Sequence, residues 1–239
     1  MKNNMILNKI KILEESELNY FIRNLIEIAQ PTTLGFINQH GYNLITESAD
    51  VYKFFMQLDF VLRDGVGIEI ACKINGVSPG LNLNGTDFIP KLISYTLSNH
   101  TKVNFISYGT VEPWLKTGSN SLFKSFPFHS LDGFKADADY LQHLNKHVDP
   151  SSLNIIVLAM GMPKQERIAQ LLKKSTNNRL LIICGGAILD FQAERYKRAP
   201  KFFRNNGIEW SYRLYKEPIR MFRRYVVGIP KFLFYIFKG

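Results

Sequence analysis

The chain has 239 residues, of which 46% are hydrophobic and 21% charged, and its formal net charge is +10. These proportions exclude a disordered chain, and the length allows one large domain or a domain with an appendage. No stretch approaches the roughly 20 apolar residues that a membrane-spanning helix requires. The opening "MKNNMILNKIKILEESEL" also lacks the apolar core and cleavage site of a secretory signal, so none is expected.

Apolar, β-rich runs alternate with amphipathic ones along the chain. The first run, Thr33–Ile37, leads into Asn38, which can bind a ligand or cap the following helix. A helical pattern covers Ile45–Leu58. The next run, Phe60–Leu62, ends in "VLRDGVG", which places Asp64 beside a glycine at a strand end. A carboxylate there can act as general base on a sugar hydroxyl, or the Asp-Gly pair can simply form a turn. "GTD" at Gly85–Asp87 reads as the start of the helical pattern Asp87–Ser98. The strands predicted at Val103–Tyr108 and Phe126–Ser130 are followed by Gly109 and by Asp132-Gly133.

"DAD" at Asp137–Asp139 matches the loose metal-binding pair of many sugar transferases. It opens the helical pattern Ala136–His147, where acidic residues complement the helix dipole, and we assign no metal there. His143 and His147 have metal-ligand spacing but lack the Glu of the zinc-protease motif, and read as surface residues.

Asn154–Met160 shows no polar alternation, as expected for a central strand buried on both faces. It leads into "AMGMPKQE". Gly161 permits a sharp turn, and Pro163 suits the first turn of the helix Lys164–Lys174, whose free N–H groups favour an anion such as a nucleotide phosphate. Gln165 can reach a base or sugar; an ordinary strand-to-helix turn would look the same. The last strand, Leu180–Cys184, precedes "GGAILDF". Gly185 and Gly186 allow close backbone approach to a ligand, and Asp190 can meet a ribose hydroxyl or cap a helix. No G-x-G-x-x-G follows any strand, which argues against a standard dinucleotide site. Cys72 and Cys184 lie in apolar surroundings and read as buried thiols of a reducing cytosol.

This alternation predicts an α/β fold: a Rossmann-like, mostly parallel sheet with helices on both faces. The residues that follow the strands would converge on one edge, where such sheets bind ligands.

An organisational boundary falls near Arg195. Residues 195–239 hold twelve Lys/Arg against two Asp/Glu, whereas residues 1–194 hold eighteen of each. The tail therefore carries all of the excess charge, together with twelve of the 31 aromatic residues. Pro218 predicts that one helix ends near Lys216 and another begins at Pro218. Arg220, Arg223 and Arg224 then share one helical face, a set of guanidiniums suited to gripping a diphosphate, and Arg213 needs tertiary structure to join them. The interleaved aromatics favour an interface over a solvated basic face. A nucleic-acid-binding tail and another nucleotide-sugar enzyme, such as an epimerase, are the alternative readings. The first is disfavoured by the prolines and apolar residues within the basic stretch, the second by the missing dinucleotide fingerprint.

"AMGMPKQE", "GGAILDF" and above all "KRAPKFFRNNGIEWSYRLYKEPIRMFRRY" resemble the WecG/TagA/CpsF family of bacterial glycosyltransferases, over about Phe36 to Tyr225. "RDG" and "NGTD" match shorter family motifs. The resemblance implies an inverting, metal-independent transfer of an N-acetylhexosamine-type sugar, or its uronic acid, from a UDP donor, with no cofactor. The implied acceptor is a saccharide linked by diphosphate to a polyprenol, in cell-surface polysaccharide or teichoic acid synthesis.

The resemblance also implies a catalytic domain at residues 1–194 and a C-terminal appendage at 195–239 that covers the site and reaches the anionic inner face of the cytoplasmic membrane. Within the appendage we expect a lid up to Arg224 and a membrane contact from Tyr225 onward. Association with further copies of the chain is left open. By motif position Asp64 takes the role of base, Asn38 that of the first-strand Asn, Gln165 a place in the donor segment, and Arg213, Arg220 and Arg223 those of the phosphate-facing arginines. The chain departs from the family pattern at Phe36, Arg63, Asn82 and Glu194. An arginine beside the base would lower its pKa or bind an acidic sugar.

Overall fold

The computed structural model of the protein describes residues 2–99 and 102–238. Helices α1 (Lys2–Lys9) and α2 (Glu15–Ile26) precede strand β1 (Thr32–Ile37). Helices α3 (Gln39–Glu47) and α4 (Ala49–Met56) lead to β2 (Phe60–Arg63). Next come α5 (Val66–Ile74), α6 (Gly85–Asn99), β3 (Val103–Gly109), α7 (Trp114–Leu122) and β4 (Phe128–Asp132). Then α8 (Asp137–His147), β5 (Leu153–Ala159), α9 (Lys164–Lys174), β6 (Leu180–Cys184) and α10 (Ile188–Gln192) complete the sheet and its layers.

The six strands pair in the order β2-β1-β6-β5-β3-β4, every pair parallel. The chain runs outward through β1 and β2, crosses to β3 and β4, and returns to fill the centre with β5 and β6. Those two strands are buried along their whole length because both faces are covered. Alternate residues serve opposite layers. Ile156, Leu158 and Ile182 pack with α1, α3, α4, α5, α8 and α9, whereas Ile155, Val157 and Ile183 pack with α2, α6, α7 and α10. Cys72 and Cys184 are free and buried.

All six expected strands are present, with β4 two residues later than the pattern suggested. The single helix expected over Ile45–Leu58 is instead two. Asn38 starts α3 six residues earlier than expected, its Oδ1 accepting from the amides of His40 and Gly41 at 3.1 Å. Ser48 is extended, ends α3, and caps α4 by accepting from the amide of Val51. His143 and His147 also differ from expectation. They are half-buried, and His147 stacks on His129 of β4 with ring centroids 3.9 Å apart.

Beyond α10 the chain forms α11 (Lys201–Asn205), α12 (Glu209–Lys216) and α13 (Pro218–Phe222), then a wide π-helical turn (Arg223–Val227) and α14 (Gly228–Lys238). Pro218 occupies the first turn of α13, as its missing N–H favours. Helix α14 returns across α3. Phe232 meets Tyr42 edge to face at 5.3 Å, Asn43 Nδ2 donates to the Gly228 carbonyl at 2.8 Å, and Lys231 pairs with Glu47 at 2.8 Å.

Glu194, at the junction, has φ of +57°, a left-handed conformation that costs a side-chain-bearing residue about 1 kcal/mol or more. Glu194→Gly is expected to stabilise the fold by about 0.5–1 kcal/mol in urea denaturation, since strain relief slightly exceeds the added freedom of the unfolded chain.

Candidate active site

The carboxyl edge of the sheet opens into a cleft of about 1010 Å³. Its floor is made by the residues that end or follow the strands: Asn38, Asp64, Gly65, Gly109, Gly133, Gly161, Gly185 and Gly186. Parallel strands end together, so short turns from every strand meet here. At one point the turns touch. The Gly133 amide donates to the Gly109 carbonyl, and a Cβ on Gly133 would lie 2.5 Å from that oxygen. Only glycine allows this approach.

Asp64 is half-buried at the end of β2, its own amide tied to the Ile37 carbonyl at 2.8 Å. Asn38 does two things at once. Its Oδ1 caps α3 while its Nδ2 donates to Asp64 Oδ2 at 3.2 Å. The capping contact fixes which end of the amide faces the carboxylate. Burial raises the Asp64 pKa, against the opposing pull of the Asn38 hydrogen bond and the Arg213 and Arg224 charges. Asn82 accepts from the Gly65 amide at 2.8 Å and steadies the same turn.

Arg63 does not take part in the cleft. Its side chain is buried, and its Nη1 pairs with Glu69 at 3.1 Å while Nη2 donates to the Gly80 carbonyl at 2.9 Å. It braces β2 against α5 and the following loop, and neither of the roles expected of an arginine beside the base applies.

On the other side, Gln165 is wholly buried, with Nε2 donating to Glu166 Oε1 at 2.8 Å and Oε1 accepting from the Gly186 amide at 2.9 Å. Gln165 lines the cleft, and both ends of its amide are held by these protein partners. Pro163 immediately precedes α9 and does not line the cleft. Asp190 does line it, with Oδ1 accepting from Thr110 Oγ1 at 2.8 Å and Arg195 Nη1 at 3.0 Å. Asp137 and Asp139 lie away from the cleft. Asp137 pairs with Arg167, and Asp139 accepts from the Ala136 amide.

The roof comes from the segment after residue 194 and contributes Arg195, Arg204, Arg213, Arg220 and Arg224. Arg213 is joined to the set by tertiary structure, as its place on a separate helix required. It bonds Glu209 at 2.5 Å and lies over Phe191 at 4.9 Å. Arg220 bonds Glu217 at 2.6 Å and lies over Tyr196 at 4.2 Å. The position next to them differs from expectation: Arg224 lines the cleft, and Arg223 is exposed and does not. A regular α-helical reading groups the two, but the π-helical turn widens the spacing here and brings residues 220, 224, 225 and 229 to the cleft side. Arg224 and Arg204 make no ion pair among the described residues, and each keeps a buried Nε without a partner. Arg195 and Arg204 were missed by sequence reasoning. The available signal was the aromatics, since Arg195 sits between Trp114 and Tyr196 at 5.9 and 5.4 Å.

The cleft therefore sets a hydrogen-bonded carboxylate against a group of guanidiniums, which suits removing a proton while stabilising an anionic phosphate leaving group. One wall is apolar, with Val66, Ile70, Ile229 and Leu233.

Two relatives carry the same name, N-acetylglucosaminyldiphosphoundecaprenol N-acetyl-β-D-mannosaminyltransferase. The one from Bacillus spizizenii (strain W23) is 26% identical over 183 residues, covering 75% of this chain and 68% of its own. The one from Bacillus subtilis (strain 168) is 21% identical over 226 residues, covering 93% and 86%. A sequence model of the glycosyl transferase WecG/TagA/CpsF family matches residues 4–239, nearly the full length. This chain belongs to that family and is a glycosyltransferase.

Proposed function

We propose that the protein moves a hexosamine-type sugar from a UDP donor, with inversion and without a metal, onto a saccharide linked by diphosphate to a polyprenol. The observation that carries the reading is the pairing of Asp64 with the arginine roof. In the proposed step the Asp64 carboxylate takes the proton of the acceptor hydroxyl. That oxygen bonds to the anomeric carbon from the face opposite the UDP, the bond from that carbon to the phosphate oxygen breaks, and UDP leaves with its negative charge met by Arg213, Arg220 and Arg224. These cations supply what a metal supplies in other transferases, and the "DAD" carboxylates are occupied elsewhere. The names of the two relatives support the lipid-linked acceptor and an N-acetylmannosamine-type donor sugar.

The acceptor's lipid implies work at the inner face of the cytoplasmic membrane. No helix among the described residues is long and apolar enough to cross a membrane. Surface attachment is supported by exposed apolar residues that include Ile219, Phe222, Phe234 and Phe237. They lie on both sides of Tyr225, and Ile229 and Leu233 line the cleft, which supports a lid and a membrane contact that overlap along this segment over a division at Tyr225.

A panel of UDP-sugars offered with polyprenyl-diphosphate-linked acceptors, read by mass spectrometry with and without EDTA, tests this reading. We expect a glycosylated lipid product whose yield EDTA leaves unchanged. Loss of product in EDTA, restored by Mn²⁺, would refute the metal-independent step.

A further inference from the structure

Glu166 is wholly buried at the start of α9, yet it forms no ion pair among the described residues. Its Oε1 accepts from Gln165 Nε2 at 2.8 Å, and its Oε2 is buried without any partner. Through Gln165 Oε1 the connection continues to the Gly186 amide at 2.9 Å, in the turn that lines the cleft after β6. Gly186 has φ of +61°, and the neighbouring Gly185 amide is held by the Leu158 carbonyl at 2.7 Å. The shape of this turn thus rests on β5 from one side and on the Glu166–Gln165 pair from the other.

We infer that Glu166 is a positioning residue that sets the donor side of the cleft through Gln165 and the Gly186 amide. Its role towards a donor rests on the UDP-sugar reading above. A buried carboxylate with so few hydrogen bonds and no cation is costly, whereas the neutral acid is tolerated. Burial accordingly pushes Glu166 up to about 7, with the hydrogen bonds from Gln165 and from its own backbone amide opposing.

The charged groups of the neighbouring elements are engaged elsewhere. Asp137 of α8 pairs with Arg167, Lys53 of α4 with Asp50, and Asp59 with Lys173. His143 of α8 contacts Tyr108 Oη. The titratable group facing Glu166 is the Cys184 thiol of β6, whose own pKa is raised by burial and by the Glu166 charge. On ionisation the carboxylate tightens its hydrogen bond from Gln165 Nε2 or draws water to the unpartnered Oε2, and either change passes through Gln165 Oε1 to the Gly186 amide.

The test uses the full chain labelled with ¹⁵N-glycine. In the wild type the Gly186 amide resonance is expected to titrate with a midpoint near 7. In Glu166→Gln it should stay flat, because Gln reproduces the neutral acid. In Gln165→Ala, where Glu166 remains but the link is cut, the titration should also vanish from Gly186. UDP affinity by calorimetry should fall severalfold in the wild type relative to Glu166→Gln between pH 6 and pH 8.5. A Gly186 amide that does not titrate, or titrates alike in the wild type and Glu166→Gln, overturns the proposal. So does a UDP affinity that follows the same pH course in both. If Gly186 titrates as expected while UDP fails to bind at any pH, the positioning network stands and the donor reading falls.

Discussion

Asp64→Asn is expected to lower turnover by about 10²–10⁴-fold while leaving UDP affinity within about twofold, the range for removing a general base. The substitution keeps size and shape, and Asn38 stays in place because its Oδ1 is held by the amides of His40 and Gly41. What is lost is the ability to take a proton. Single-turnover rates and calorimetry on the same variant separate the two effects, and near-normal turnover would remove Asp64 as the base. The pH dependence follows from the raised Asp64 pKa. A base works when ionised, so the rate should climb with pH through that elevated value and level off above it. In Asn38→Ala the carboxylate loses a donor that favours its charged form, and the rising limb should move to higher pH.

The second large effect separates two adjacent arginines. Arg224→Ala should reduce kcat by about 10²–10³-fold, the scale for losing one donor to a developing anion. Arg223→Ala should change it by less than about threefold, because an exposed cation screened by solvent contributes little. Arg224 lines the cleft, carries a buried Nε without a partner, and acts on the charge of Asp64, whereas Arg223 points outward. Arg213→Ala should resemble Arg224→Ala and also shift the rising limb to higher pH, since its charge lowers the Asp64 pKa. Steady-state kinetics on the three variants in parallel would decide the matter. Equal losses at 223 and 224 would contradict the assignment drawn from the π-helical turn.

Much of the protein was determined by local chemistry and could be read without a structure. The two central strands are apolar along β6 and from Ile155 onward in β5 because both faces are covered, and they could be found on that basis. Asn38, Asp64, Gly109, Gly161, Gly185 and Gly186 end or follow the strands, and parallel strands bring such residues to one edge whatever the details of packing. The break at Pro218 is a backbone property of proline and fell where expected.

Other features depended on contacts between residues far apart in the chain. Arg63 was drawn away from Asp64 by Glu69 and the Gly80 carbonyl, partners that only the packed loop supplies. Gln165 lines the cleft as its motif suggested, but its contact with the Gly186 amide, 21 residues later, makes it a brace for the turn there, which the motif does not reveal. The choice of Arg224 over Arg223 came from a change in helical pitch that α-helical periodicity does not register. Side chains with free hydrogen-bonding groups go to whichever partner the fold brings nearest. Their destinations are therefore set by tertiary structure, even where the residues themselves are plain in the sequence.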